Sequence, residues 1–282
     1  MRLNGRRESR NVRDIRGKGK GVGLGIGGVI VVGLLAWILG GDPVDAIQQA
    51  GGLNYDTESK YVPTAQEEAL AKFAKQVLAG TEDVWSVQFQ KLGLTYEPPT
   101  LVLFTNSVQS ACGGASASSG PFYCSADKSV YIDLSFFSNM QREFGTAGDF
   151  AYAYVIAHEV GHHVQNLLGT LTQANQIMRQ VSQTEANQIS VRLELQADFY
   201  AGLWAYHDDA MYNSLEEGDI EEGLAIAARI GDDYLQKASR GYAVPETFNH
   251  GTSAQRARWL KRGYSTGDIT KGDTFSPKYN SL

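Results

Sequence analysis

The chain has 282 residues, 43% hydrophobic and 20% charged, an ordinary globular composition with length enough for one sizeable core. Its net charge of −6 hides an asymmetry, because residues 1–20 hold eight Arg or Lys against Glu8 and Asp14 while the rest of the chain is acidic. Context excludes a nucleic-acid tail for this basic arm: it runs directly into Gly21–Gly41, a stretch of 21 residues without a charge.

At about 1.5 Å per helical residue, that stretch just spans a hydrocarbon core of about 30 Å, and it exceeds the roughly 7–15 residues of a secretory signal core. The expectation is one N-terminal transmembrane helix over residues 21–41, with residues 1–20 a basic cytoplasmic arm. By the positive-inside rule, everything after Asp42 then lies on the periplasmic or extracellular side of the inner (plasma) membrane. Cys112 and Cys124, the two cysteines of the chain, fall on that oxidising side and are expected to form a disulfide. Their spacing excludes a CxxC metal or redox motif.

Residues 42–63, with Asp42, Pro43, Gly51, Gly52 and Pro63 and no sustained period, read as a linker. Thr64 to Glu67 has the form of a capping box opening a helix, and a second helix is expected from about Glu82 to Leu92. Thr100–Thr105 and Ser129–Asp133 read as strands from their β-branched and aromatic content. Further helices are expected at 149–168, 185–207, 219–238 and 253–262. The fold class is thus α+β, helix-dominated with a small sheet, with one domain over 64–265 and a loose polar tail over 266–282.

The segment from Asp149 to His162 is apolar around nearly its whole circumference until His158, Glu159 and His162 arrive, the pattern of a buried helix. Two histidines four residues apart stand one above the other on a helix face and can bind the same Zn²⁺, with Glu159 placed to reach its water. Two stacked core histidines would leave unexplained a carboxylate between them in an apolar helix. A catalytic site needs a third protein ligand, and the metzincin solution is excluded because Gln165 and Leu168 stand where Gly and His are required. Glu194 supplies the ligand on this reading, with Asp198 on the same helix face accepting the outer N–H of a ligand histidine. His250, His207 and Glu185, in falling order, are the other candidates. His163 points about a hundred degrees away from His162 and is not expected on the metal.

These residues resemble the gluzincin arrangement, an HExxH helix joined by a Glu-x-x-x-Asp segment from a later helix. More closely, the chain is similar to the YpfJ-type family of neutral zinc metallopeptidases. The likeness rests on Gly120–Cys124 with Val130–Asp133, on His158–Gln165, on Glu194–Gly202 and on His250–Arg256. It implies a membrane-anchored zinc metalloendopeptidase acting on a peptide or protein substrate. Glu159 is expected as general base, and His250 resembles a transition-state histidine, which Arg256 would orient. A substrate strand is expected along Ser129–Asp133 if that strand is a sheet edge. The alternative is a catalytically silent, zinc-binding, membrane-tethered interaction or chaperone-like module.

Overall fold

The structure, a computed structural model, describes residues 1–17, 61–116, 119–137, 140 and 148–282. The expected membrane span at 21–41 and most of the linker at 42–63 lie outside these residues. Among the described residues, no helix is long and apolar enough to cross a membrane.

Chain order begins with β1 (Val12–Asp14) and α1 (Ala65–Lys91), followed by β2 (Thr100–Phe104), a hairpin of β3 (Ser107–Ser110) and β4 (Gly113–Ser116), then β5 (Phe122–Cys124) and β6 (Ser129–Asp133). The helical half comprises α2 (Asp149–Leu167), α3 (Thr170–Met178), α4 (Gln183–Tyr212), α5 (Asp219–Arg229), α6 (Asp232–Arg240) and α7 (Ser253–Thr266). The α+β class with a small sheet is therefore as expected. Its main sheet runs β1-β2-β6-β5, parallel except for the antiparallel β5 at the edge. Apolar faces of α1, the sheet and α4 close around α2, which is why that helix is buried on nearly every side from Phe150 to Gln165.

The capping box at Thr64 forms as read: the Thr64 hydroxyl accepts from the Glu67 amide at 3.2 Å and the Glu67 carboxylate from the Thr64 amide at 2.7 Å. No second helix starts at Glu82. Helix α1 runs unbroken through Gly80, because that glycine makes room for a buried Arg6–Asp208 ion pair rather than ending the helix. The single helix expected over 219–238 is two, separated at Gly231, whose missing side chain lets the backbone at Ser253 pack against it. Nor is β6 an edge strand. It is hydrogen-bonded to β2 on one side and β5 on the other, so the outer edge belongs to β5.

Both termini correct the sequence reading. Residues 266–282 do not form a loose tail: Gln196 and Arg258 donate to the carbonyls of Gly272 (2.9 Å) and Leu282 (2.6 Å), Arg192 donates to those of Thr274 and Phe275, and Thr274 and Leu282 are buried. The polarity that suggested a tail is satisfied by the domain. Residues 1–17 are likewise part of the domain, with β1 as an edge strand and Leu3 in the core.

The expected disulfide is present, joining Cys112 in the β3–β4 turn to Cys124 on β5 across twelve positions. A covalent loop of this size is worth about 2–3 kcal/mol in the chain-entropy description. Replacing both cysteines by serine should lower unfolding free energy by that amount, read as the urea midpoint of the oxidised protein against the variant. Equal midpoints would show that the bond does not hold β5 in place.

Candidate metal centre

Three side chains from two helices converge. His158 and His162 project from one face of α2, and Glu194 from α4. The helices approach closely at Gly161, where an added Cβ would lie 3.0 Å from Ala197 Cα, so the small pair Gly161 and Ala197 sets the distance between the motifs. A valine at 161 would push Glu194 away from the histidines.

The Glu194 carboxylate bridges both imidazoles, with Oε2 3.2 Å from His158 Nε2 and Oε1 3.4 Å from His162 Nε2. One ligand atom from each of the three residues fits within a 4.8 Å cluster. The three side chains are therefore close enough together to hold one metal ion between them. The donor set, two imidazole nitrogens and one carboxylate, is of the kind that would suit zinc.

Each histidine is held by its other nitrogen. His158 Nδ1 lies 2.9 Å from Asp198 Oδ1, and His162 Nδ1 2.9 Å from Gln165 Oε1. Gln165 is oriented in turn, since its Nε2 donates to the Leu193 carbonyl at 2.7 Å. Both Nδ1 atoms therefore carry a proton, which leaves Nε2 of each histidine, turned toward Glu194, as the nitrogen that would bind a cation. Asp198 is fully buried and accepts from Tyr154 (2.6 Å) and from Arg256 through Nε (2.9 Å) and Nη2 (3.0 Å). Arg256 thus secures Asp198 and does not orient His250 as expected from the sequence.

Electrostatics divides the carboxylates. Burial alone would raise Glu194, but the imidazoles of His162 and His158 outweigh it and hold the acid well below the usual carboxylate range. Asp198 is lowered in the same way, against burial, by Arg256 and His158. Glu159 moves oppositely: burial raises it, and the neighbouring histidines only partly counter this. For His158 burial opposes protonation, yet Asp198 and Glu194 push the imidazole up to about 10 when no cation competes for it.

A cavity of about 550 Å³ opens on this cluster and on Glu159. Its apolar wall includes Phe122, Phe136, Met140, Val155 and Ile230, and His250 and Arg256 also reach it. His250 is partly exposed there, 3.3 Å through Nδ1 from Asp232 Oδ1. The other Asp232 oxygen accepts the backbone amides of Asn249, His250 and Gly251 at 2.7–2.9 Å, fixing the loop.

The remaining candidates lie elsewhere. His207 Nε2 donates to the Gly267 carbonyl at 2.7 Å, and Glu185 caps α4 through Ser182. His163 is buried away from the cluster: its Nε2 donates to the Glu97 carbonyl (2.6 Å), which leaves Nδ1 to accept from Tyr123 (3.0 Å). Asn166 donates to the same phenol, so β5 is tied to the histidine helix by two side chains. Burial pushes His163 down to about 4, keeping it neutral in this tie.

Sequence reasoning missed Gln165, Tyr154, Asp232 and Glu222. Gln165 carried a signal, three residues beyond His162 and hence on its face. Tyr154 also had one, a turn before His158 in an apolar helix, but reads equally as core. Asp232 and Glu222, whose carboxylate accepts the amides of Gly148, Phe150 and Ala151 at the start of α2, come from remote elements and carried none.

A helical α+β unit with two histidines one turn apart and a glutamate from a later helix could hold a metal ion. The chain belongs to the family described as "Putative neutral zinc metallopeptidase", which it matches over residues 1–275. It is 44% identical to the uncharacterized protein YpfJ of Escherichia coli K12 over 98% of this chain and 99% of that protein. It is also 46% identical to the uncharacterized protein Rv2575 of Mycobacterium tuberculosis H37Rv over 64% of each chain. No solved structure matches it.

Proposed function

We propose that the protein is a zinc-dependent endopeptidase whose metal is held by His158, His162 and Glu194. The observation that carries this reading is the convergence of His158, His162 and Glu194 beside Glu159, whose pKa burial raises, in the lining of one cavity. A zinc ion bound there supplies Lewis acidity toward a peptide carbonyl and toward water.

Glu159 takes the proton from the attacking water and delivers it to the leaving amine as the C–N bond breaks. His250, fixed by Asp232, faces the developing negative charge on the carbonyl oxygen. The edge strand β5 lies beside the site, with Phe122 and Tyr123 lining its cavity, so an extended peptide pairs along β5 and not along β6. Main-chain pairing of this kind holds a peptide without demanding its sequence.

The test is cleavage of an unfolded protein by the full-length chain purified in detergent, with its metal content measured. Full length matters because cutting away residues 1–60 would remove β1 and expose the edge of β2. Peptide hydrolysis should vanish with a chelator and return with one equivalent of zinc. Stoichiometric zinc binding with no cleavage of any peptide would favour the silent interaction module instead.

A further inference from the structure

The N-terminal segment is fastened to the domain along its whole described length. Strand β1 pairs in parallel with β2, Val12 beside Leu101 and Asp14 beside Leu103. Arg6 makes a two-pronged pair with buried Asp208 (2.7 and 2.6 Å), Arg7 reaches Glu82 (2.9 Å) and Asp83 (2.5 Å), and buried Arg16 reaches Glu68 (2.8 Å). Ser9 and Asn11 bond the other Glu82 oxygen at 2.5 and 2.8 Å. The arginines that suggested a cytoplasmic arm are counterions of α1 and α4.

The two ends that flank residues 18–60 also meet. Gly17 donates to the Thr105 hydroxyl at 3.0 Å and packs against Tyr61 so tightly that a side chain at 17 would overlap its ring. Tyr61 in turn donates to Glu67 at 2.8 Å. Strands paired at about 4.8 Å cannot be divided by a hydrocarbon layer of about 30 Å. Residues 42–60 contain Asp42, Asp45, Asp56, Glu58 and Lys60, so they offer no second apolar span to bring the chain back.

We propose that residues 1–17 and 61–282, joined through the β1–β2 pairing, lie on the same side of any membrane the chain meets. This replaces the single-pass topology expected from the charge asymmetry. The disulfide assigns the shared side to the oxidising compartment. The inference is independent of whether the cavity cuts peptides.

Asn4 and Asn280 are exposed positions at the two ends of the fold. Single variants Asn4→Cys and Asn280→Cys in the full chain are labelled in intact cells with a membrane-impermeant maleimide, with the parent chain as blank and detergent-opened cells showing that both sites react. Both sites should label from outside; equal protection of both, in cells whose opened counterparts label, overturns the assignment of the shared side to the oxidising compartment. Labelling of Asn280→Cys with protection of Asn4→Cys overturns the proposal. A second measurement uses Arg6→Met in the purified full chain, which strands buried Asp208 and should lower Tm by roughly 6 °C or more. An unchanged Tm overturns the seating of the arm on which the proposal stands.

Discussion

Glu159→Gln is expected to lower peptide turnover by roughly 10²- to 10⁴-fold while leaving zinc content at one per chain. The amide keeps the size of the acid and loses its ability to take a proton. Metal retention follows because the bridging contacts to both histidines come from Glu194 and not from Glu159. Burial raises the Glu159 pKa, which brings the acid closer to neutrality, where accepting and returning one proton in a cycle is easiest. The measurement is single-turnover cleavage of an unfolded substrate beside metal analysis of the same preparation. Unchanged cleavage with full zinc would remove Glu159 from the chemistry and the endopeptidase reading with it. Loss of zinc in the variant would instead mean that Glu159 is a ligand.

Asp198→Asn should act on stability and metal affinity together. Its carboxylate is fully buried and is the hydrogen-bonded partner of Arg256, which is itself almost entirely buried, so the amide leaves the guanidinium with only the more distant Glu194 carboxylate, 3.8 Å away, as counter-charge. Breaking one partner of such a pair costs about 3–5 kcal/mol. His158 also loses the acceptor that fixes its tautomer, and supports of this kind are worth about 10- to 100-fold in metal affinity. The double variant Asp198→Leu with Arg256→Met removes both charges and should recover most of the stability, because apolar replacement of a buried pair is often close to neutral. It should not recover the zinc affinity. Urea midpoints and zinc competition against a chromogenic chelator read the two effects separately. If the double variant regained full affinity, Asp198 would matter only as the partner of Arg256.

The cluster of candidate ligands was legible because a helix has a fixed repeat. His158 and His162 share a face at a spacing of four, and Glu194 and Asp198 repeat that spacing on a second helix, so each half of the cluster is local information. Which residue stands behind each histidine was legible only in part. Asp198 followed from its helix face, whereas Arg256 was assigned to the wrong partner and Asp232 was not found, because both reach the site through packing of α6 and α7.

Composition misled at both ends for one reason. It reports the charge and polarity of a segment and not the partners that satisfy them. The arginines of residues 1–17 and the polar stretch 266–282 read as solvated, yet Asp208, Glu82 and Glu68 meet the first, while Arg192, Gln196 and Arg258 hold the backbone of the second. Local periodicity by itself determined the helix class, the two-histidine motif and the acid pair, since 3.6 residues per turn is a property of the backbone. Only the tertiary structure decided that β5 rather than β6 is the open edge and that the basic arm is a strand of the sheet. Those outcomes depend on hydrogen bonds and ion pairs between residues as far apart as Arg6 and Asp208, which no local pattern encodes.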